Sequence, residues 1–374
     1  MKILGPNDPA LAALQKSIDL HPGQDIQLEI IPWEDYRTKL DETLGNYKYD
    51  AVFIPGHIWM PQLVVDGLIQ PLDSYFSAAP KELVSQYDPD GIFASIQTEC
   101  KYTPTGEKMG QYMLPLFTDG HIVFYRSDLV NLPEQVSPRD LPELINSFNL
   151  PAGMNGFAQK AHPSEILLDF LPYFWDCGGE LVSENGEIKF NSELGEKALE
   201  LYHRLKFFCP SDSENYGNSE IVNAITTGES AMAISWGGQA AAIFASINAG
   251  AGAEIKTASL TNAWNTTWGV SIPTNVPSAR AQEVFEVLLS LMDGAGDELI
   301  TQIAGSPVRT KSYSSEMKAN YAWLGSQEEL LKNCKNLPVD PNFSKYLGPL
   351  YAAVHDVYTE KKSPRVALEE AAKV

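Results

Sequence analysis

The sequence predicts an α/β protein of two domains, and three observations predict it. At 374 residues the chain exceeds one ordinary core and suits two domains of about 150–200 residues. Its composition, 44% hydrophobic and 20% charged, is globular rather than disordered. Its N-terminal part alternates short apolar strands with amphipathic helices, which implies parallel sheets with right-handed crossovers.

Lys2-Ile-Leu-Gly reads as a strand that breaks at Pro6-Asn7-Asp8-Pro9. A helix follows with Ala10, Leu11, Leu14 and Ile18 on one face; Asn7 or Asp8 can cap it, and Pro9 fits its first turn. Residues 26–30 alternate as a second strand ending at Pro32-Trp33-Glu34-Asp35, after which Tyr36, Leu40 and Leu44 recur at helical spacing. Residues 49–54 form a third strand, and Pro55-Gly56-His57-Ile58-Trp59 leads into another helix. In parallel α/β sheets ligands meet the loops at the carboxyl ends of strands. Those loops here carry Asn7/Asp8, Trp33/Glu34 and His57/Trp59. Each also has a plain structural role: a cap for Asn7 or Asp8, a helix start for His57, a cover over the sheet for the two tryptophans.

Residues 113–128 read as the hinge. An apolar lead-in, Met113-Leu-Pro-Leu-Phe117, meets a polar break at Thr118-Asp119-Gly120, and a strand-like run follows from Ile122 to Tyr125. Gly120 can take backbone angles closed to other residues, so the reading places a change of direction there and displays Asp119 at it. Beyond this, 127–163 is rich in loops and proline, and the stretch ending at Trp175 reads as a buried helix closed by Gly178-Gly179. Residues 180–190 form a hairpin turning at Asn185-Gly186. Leu194, Ala198, Leu201, Leu205 and Phe208 make the stripe of an amphipathic helix. A strand over 230–235 runs into Trp236-Gly237-Gly238. Trp264 and Trp268 flank Asn265-Thr-Thr, and 269–273 is a further strand. A helix over 280–291 precedes Gly305-Ser-Pro-Val-Arg309, and the C-terminus ends in a helix capped at Ser363.

The net charge is −21, from 48 acidic against 27 basic residues. That opposes binding to nucleic acid or anionic membrane, and favours a monomeric particle with a neutral or cationic ligand. No apolar run reaches the roughly 20 residues of a membrane span. No basic-then-apolar leader opens the chain, so it reads either as cytosolic or as a mature form whose export signal has been removed. Cys100, Cys177, Cys209 and Cys334 lack zinc-finger spacing; one or two disulfides and four free thiols both remain open. The six histidines are scattered, so neither a metal nor any other cofactor is expected.

No nucleophile elbow, phosphate loop, zinc-protease motif or dinucleotide fingerprint is present. What stands out is six tryptophans at apparent strand ends and breaks: Trp33, Trp59, Trp175, Trp236, Trp264 and Trp268. Sugar rings offer apolar C–H faces that stack on aromatic faces, and hydroxyls that need polar partners beside them.

The order of segments resembles the extracellular solute-binding proteins of ATP-binding-cassette sugar importers, the group containing maltose- and trehalose-binding proteins. The residues that carry it are Asp35-Tyr-Arg-Thr-Lys-Leu40, Tyr49-Asp-Ala-Val-Phe53, Gly67-Leu-Ile-Gln-Pro-Leu-Asp-Ser-Tyr-Phe76, Leu114-Pro115 through Phe124-Tyr-Arg-Ser-Asp-Leu129, Thr227-Gly-Glu-Ser-Ala-Met-Ala-Ile234 and Gly305-Ser-Pro-Val-Arg309. The resemblance implies a two-lobed periplasmic-binding-protein-like fold, each lobe a mostly parallel sheet flanked by helices, with the ligand in the interlobe cleft. It implies lobes of 1–117 plus 269–309 and 118–268 plus 310–374, with crossings near 116–121, 267–270 and 309–313. Position within the family maps ligand contacts onto Asn7/Asp8, His57/Trp59, Asp119, Trp236 and Arg309; with Trp33, Glu34, Trp175, Gly237, Trp264 and Trp268 these make the candidate site. Arg126 departs from the usual asparagine of the Tyr-Asn-Lys-Asp pattern, and Trp236 lies nearer Met232 than in maltose-type members.

The leading expectation is therefore a non-enzymatic receptor that closes on a mono- or oligosaccharide and delivers it to importer membrane subunits. The resemblance places it in the periplasm or outside the cell, held through a removed signal or lipid-anchored segment. Two other readings stay open: a glycoside-processing enzyme with paired carboxylates, and a sensory sugar-binding module without transport.

Overall fold

The computed structural model describes residues 1–56, 58–183, 185–246 and 254–374, and the backbone but not the side chain of Glu34. Among these residues the strands are β1 (Lys2–Pro6), β2 (Gln27–Ile31), β3 (Ala51–Pro55), β4 (Lys101–Tyr102), β5 (Gly110–Gln111), β6 (Leu114–Arg126), β7 (Gln135–Val136), β8 (Met232–Trp236), β9 (Ile255–Leu260) and β10 (Asn265–Ser271). The chain divides into two compact units. Unit 1 comprises Met1–Asp119, Asn265–Met317 and Val339–Pro341; unit 2 comprises Gly120–Trp264, Lys318–Pro338 and Asn342–Val374.

In unit 1, β1 pairs in parallel with β2 and β3, and β10 runs antiparallel to β3 with the start of β6 beyond it. The strands β1 and β3 are buried almost throughout, as strands covered on both faces must be. The helix Pro9–Asp19 begins as its sequence indicates: Asp8 Oδ1 accepts the Ala10 N–H at 2.8 Å, Pro9 occupies the first turn, and Ala10, Leu11, Leu14 and Ile18 are buried. It packs on the helix Gly294–Ala304, which is capped by Asp293 and stopped by Gly305 in the left-handed region at φ 79°.

In unit 2, β6 lies between β8 and β9 and runs antiparallel to both, while β7 pairs in parallel with β9. Parallel bridges at Asn155–Ser230 and Ala158–Ala233 extend the sheet beyond β8. The strands β7, β8 and β9 thus share one direction, and β6 is the reversed member. The helix Ile166–Asp176 is buried along most of its length, as its largely apolar sequence requires, and it takes Asp169 and Asp176 into the interior with it. The amphipathic helix is Glu193–Leu205, with the Ser192 hydroxyl accepting from Gly195 N–H at 3.2 Å. Its buried stripe is Ala198, Leu199, Leu201, Tyr202 and Leu205; Leu194 is left 39% exposed at its start.

The expected break at Thr118-Asp119-Gly120 is not there. The strand β6 runs without interruption from Leu114 to Arg126, and Thr118, Asp119 and His121 are all buried. Gly120 does not take a positive φ. Its hydrogen is required for another reason: a Cβ there would stand 2.3 Å from the Trp264 carbonyl oxygen and 2.8 Å from Leu330 Cδ1. Glycine permits close approach here, and the polar residues around it face partners within the fold.

Candidate functional site

In unit 1 the partly exposed tryptophans gather into one aromatic group. Trp33 opens the helix Trp33–Leu44 and is 45% exposed, so it belongs to a helix start rather than a loop. It stacks on Trp59 at 5.9 Å between ring centroids and meets Trp268 edge-on at 5.3 Å. Trp59 and Trp268 are both half-buried, and the Arg37 guanidinium lies 5.0 Å from the Trp59 ring centre. Trp268 sits within β10, opposite Pro55 of β3, and not at a break. Beneath it, the Phe53 and Phe117 rings lie nearly parallel to the indole, with ring centres 5.7 and 6.1 Å away. Tyr36 is wholly buried behind the group and donates its hydroxyl to the Leu4 and Phe53 carbonyls. The platform is thus exposed tryptophan edges and faces on a rigid aromatic floor.

Asn7 and Asp8 stand at the end of β1. Asn7 is exposed and its backbone N–H donates to Ile31 O, so the cap belongs to Asp8. Burial pushes the Asp8 carboxyl up to about 6, against the lowering effect of the Ala10 N–H. The buried Asp119 ends this unit's part of β6. Near it, Asn265 Nδ2 reaches Glu99 Oε2 and Thr118 Oγ1, each at 3.3 Å. Neither Glu99 nor Asn265 was a candidate site residue from the sequence, because a lone carboxylate and a lone amide carry no spacing signal. His57 lies outside the described residues, as does the Glu34 side chain.

Arg309 is part of the frame in this structure rather than a displayed cation. It is buried, its Nε and Nη2 donate to the Tyr87 carbonyl at 2.9 and 2.7 Å, and Nη2 also donates to Met292 O at 2.7 Å. Its guanidinium lies over the Tyr87 ring at 4.7 Å and pairs with Asp297 at 3.6 Å. The Asp297 carboxylate accepts from the Val308 and Arg309 N–H groups and from the Ser312 hydroxyl, so it ties the turn after Gly305 to its helix.

Unit 2 builds its group around Trp236, the last residue of β8. The ladder sets His121 of β6 directly opposite it, and antiparallel pairing puts both side chains on one face. The His121 ring centre lies 4.1 Å from that of Trp236. Trp236 is half-buried, whereas His121 is wholly buried, so the imidazole packs behind the indole. The Trp264 Nε1–H donates to His121 Nδ1 at 3.1 Å. Indole nitrogen can only donate, so Nδ1 accepts, and His121 carries its proton on Nε2, facing Asp169 Oδ1 at 2.9 Å. Burial holds the His121 pKa below its usual value, opposed by Asp169, and the neutral tautomer fits both bonds. Lys160 Nζ stands 3.2 Å from Asp169 Oδ2, donates to Asn218 Oδ1 at 2.9 Å, and lies 5.1 Å from the Trp236 ring centre.

This arrangement separates the tryptophans expected to line a site. Trp236 keeps exposed surface, and Gly237 opens a 3-10 turn just after it. Trp264 is fully buried and Trp175, inside the helix Ile166–Asp176, nearly so; their ring centres lie 6.1 Å apart, and that of Trp264 lies 5.5 Å from that of Trp236. Neither presents an exposed ring face in this structure. His121, Asp169 and Lys160 do not stand out in the sequence as site residues: His121 lies 48 residues from Asp169, and Lys160, though close in sequence to Glu165 and Asp169, matches no motif. The one signal available was that Asp119 and His121 share a face of the same strand, two residues apart.

The fold has close counterparts among solved structures. A solute-binding protein of an ABC transporter from Agrobacterium radiobacter, solved with ribitol, matches with a TM-score of 0.82 at 20% identity, covering 100% of this chain and 96% of that one. The maltose-bound MalE3 protein of T. maritima matches at 0.83 and 18%, covering 100% and 98%. A solute-binding protein of Agrobacterium vitis with bound D-mannitol matches at 0.78 and 18%, covering 100% and 96%. At these identities the likeness shows the two-lobed fold alone. In sequence, a binding protein of Brucella abortus is 23% identical over 372 residues, spanning 94% of this chain and 85% of the relative. Residues 5–291 match the family described as bacterial extracellular solute-binding protein, and the chain belongs to that family.

Proposed function

We propose that this protein is an extracellular receptor that binds a neutral carbohydrate or polyol and hands it, unchanged, to the membrane subunits of an ABC importer. The observation that carries the reading is the paired provision of platforms. Unit 1 exposes Trp33, Trp59 and Trp268 on an aromatic floor, and unit 2 exposes Trp236 over buried His121. Polar groups suited to hydroxyls accompany them: Asn7 and Asp8 at the end of β1 and Asp119 in β6. Family membership supports a binding role, and similar proteins were solved with ribitol, D-mannitol and maltose. Capture by closure of the lobes, a monomeric state and a position outside the cytoplasmic membrane are proposed with it, from the family resemblance.

The test is thermal unfolding of the purified protein against ribitol, D-mannitol, tagatose, maltose and a series of longer saccharides. A ligand that binds only the native state stabilises it by about 2.7 kcal/mol at a hundredfold excess over its dissociation constant. A rise in the midpoint with one class of sugar or polyol, with no product on chromatography, is the expected result. Release of a cleaved sugar would establish a glycoside-processing enzyme instead.

A further inference from the structure

Lys160 is the least expected residue in unit 2. Its side chain has no solvent exposure, and buried ammonium groups are costly unless fully partnered. A methionine of similar length would fill the same space at lower cost. The segment around it is pinned on both sides: the Lys160 carbonyl accepts the Tyr202 hydroxyl at 2.5 Å, and the Ala158 and Ala161 N–H groups donate to Met232 O and Tyr216 O. The ammonium reaches Asp169, Glu165 and Asn218 at 3.2, 3.3 and 2.9 Å. The Trp236 ring centre also lies 5.1 Å from this ammonium.

We infer that Lys160 is a positioning residue for the Trp236 platform, acting in two ways. Its ammonium holds the indole from the buried side by a cation–π contact, and its pairing with Asp169 fixes the His121 imidazole against the same ring. The carboxylate of Asp169 is the joint of this chain, since one oxygen takes His121 Nε2–H and the other faces Lys160. His121 in turn accepts from Trp264, so the underside of Trp236 rests on two directed bonds, Trp264 to His121 and His121 to Asp169, closed by the Asp169–Lys160 ion pair. A site built this way presents one indole face at a fixed angle and loses no freedom of that ring on binding. The inference rests on the carbohydrate reading for its consequence in affinity, and on geometry alone for its effect on the ring.

The test uses the full chain labelled with 5-fluorotryptophan, the Trp236 fluorine resonance being assigned through Trp236→Phe. In Lys160→Met and in Asp169→Asn, which keeps the side-chain volume, this resonance is expected to shift and broaden, while that of Trp33, remote in the chain and in the other unit, stays put. Affinity for the best binder among ribitol, D-mannitol, tagatose and maltose should fall about tenfold in Lys160→Met. The same change made in a Trp236→Phe background should cost less than about twofold, because a residue that acts through the ring has little left to act on. A sharp, unmoved Trp236 resonance in both folded variants overturns the proposal, as does a loss of affinity that is equal in the two backgrounds. If no probe binds the unaltered protein, the carbohydrate reading fails, and the fluorine spectra alone decide the role of Lys160.

Discussion

Asp8 is pulled in opposite directions by its surroundings. The helix N-terminus and the Ala10 N–H favour its charged form, and burial, the larger effect, disfavours it, leaving its pKa at about 6. A carboxyl raised above its ordinary value of 3.8 binds more protons in the folded state than in the unfolded one between those two values. Its contribution to stability is therefore greatest below about pH 4 and is lost as pH rises through 6, the reverse of a salt-bridged aspartate. Asn caps a helix as well as Asp does and does not titrate. The difference in unfolding free energy between the protein and Asp8→Asn should accordingly turn against the unaltered protein as pH is raised from 4 to 6.5. A difference independent of pH in denaturant titrations would mean that Asp8 is solvated like any surface cap. At this scale the sequence was a good guide to type and a poor one to exposure. It selected Trp236, Trp33, Trp59 and Trp268, which keep exposed surface, together with Trp175 and Trp264, which do not. Local sequence does not distinguish a tryptophan with exposed surface from a buried one, because burial is set by packing against residues from other parts of the chain, as Trp264 packs against His121.

Among the elements, β6 shows where pattern reading stops. The helix Pro9–Asp19 and the parallel strands β1 to β3 were legible because apolar periodicity and end signals agree there. In β6 the run Thr118-Asp119-Gly120 looks like a turn, since polar residues and glycine interrupt an apolar strand. The strand continues because its polar groups have partners that composition cannot reveal: Thr118 donates to Thr266 O at 3.1 Å and His121 bonds Asp169. Gly120 is then a packing requirement. Gly120→Ala should destabilise the protein by about 1–3 kcal/mol, as overpacking does, because the Trp264 carbonyl it would meet is backbone and cannot swing aside. A lowered midpoint in denaturant at unchanged slope is the expected result. Undiminished stability would show that β6 and the Trp264 turn yield to each other without cost.

For the whole molecule, the acidic balance of −21 suits a neutral or cationic ligand, and the tryptophans of each unit are, in the proposed reading, stacking surfaces for a neutral one. Stacking serves a neutral ring, and hydroxyls bond to carboxylates and amides without needing a countercharge. The family membership fixes a binding role, and the resemblance read from the sequence covered nearly the whole chain, which is why the two-lobed fold was accessible before any coordinates. Which hydroxyls are matched was not accessible, since ring geometry is read by the angle of each platform rather than by residue type. The most direct test of the central claim is calorimetric titration of the protein and of Trp236→Ala with ribitol, D-mannitol, tagatose and maltose, followed by NMR of the recovered sugar. The account predicts one-to-one saturable binding of at least one of them, a loss of roughly 5- to 150-fold (about 1–3 kcal/mol) in Trp236→Ala, and sugar recovered intact. Binding of the same strength in a folded Trp236→Ala, no heat with any of the four, or recovery of a cleaved product would contradict it.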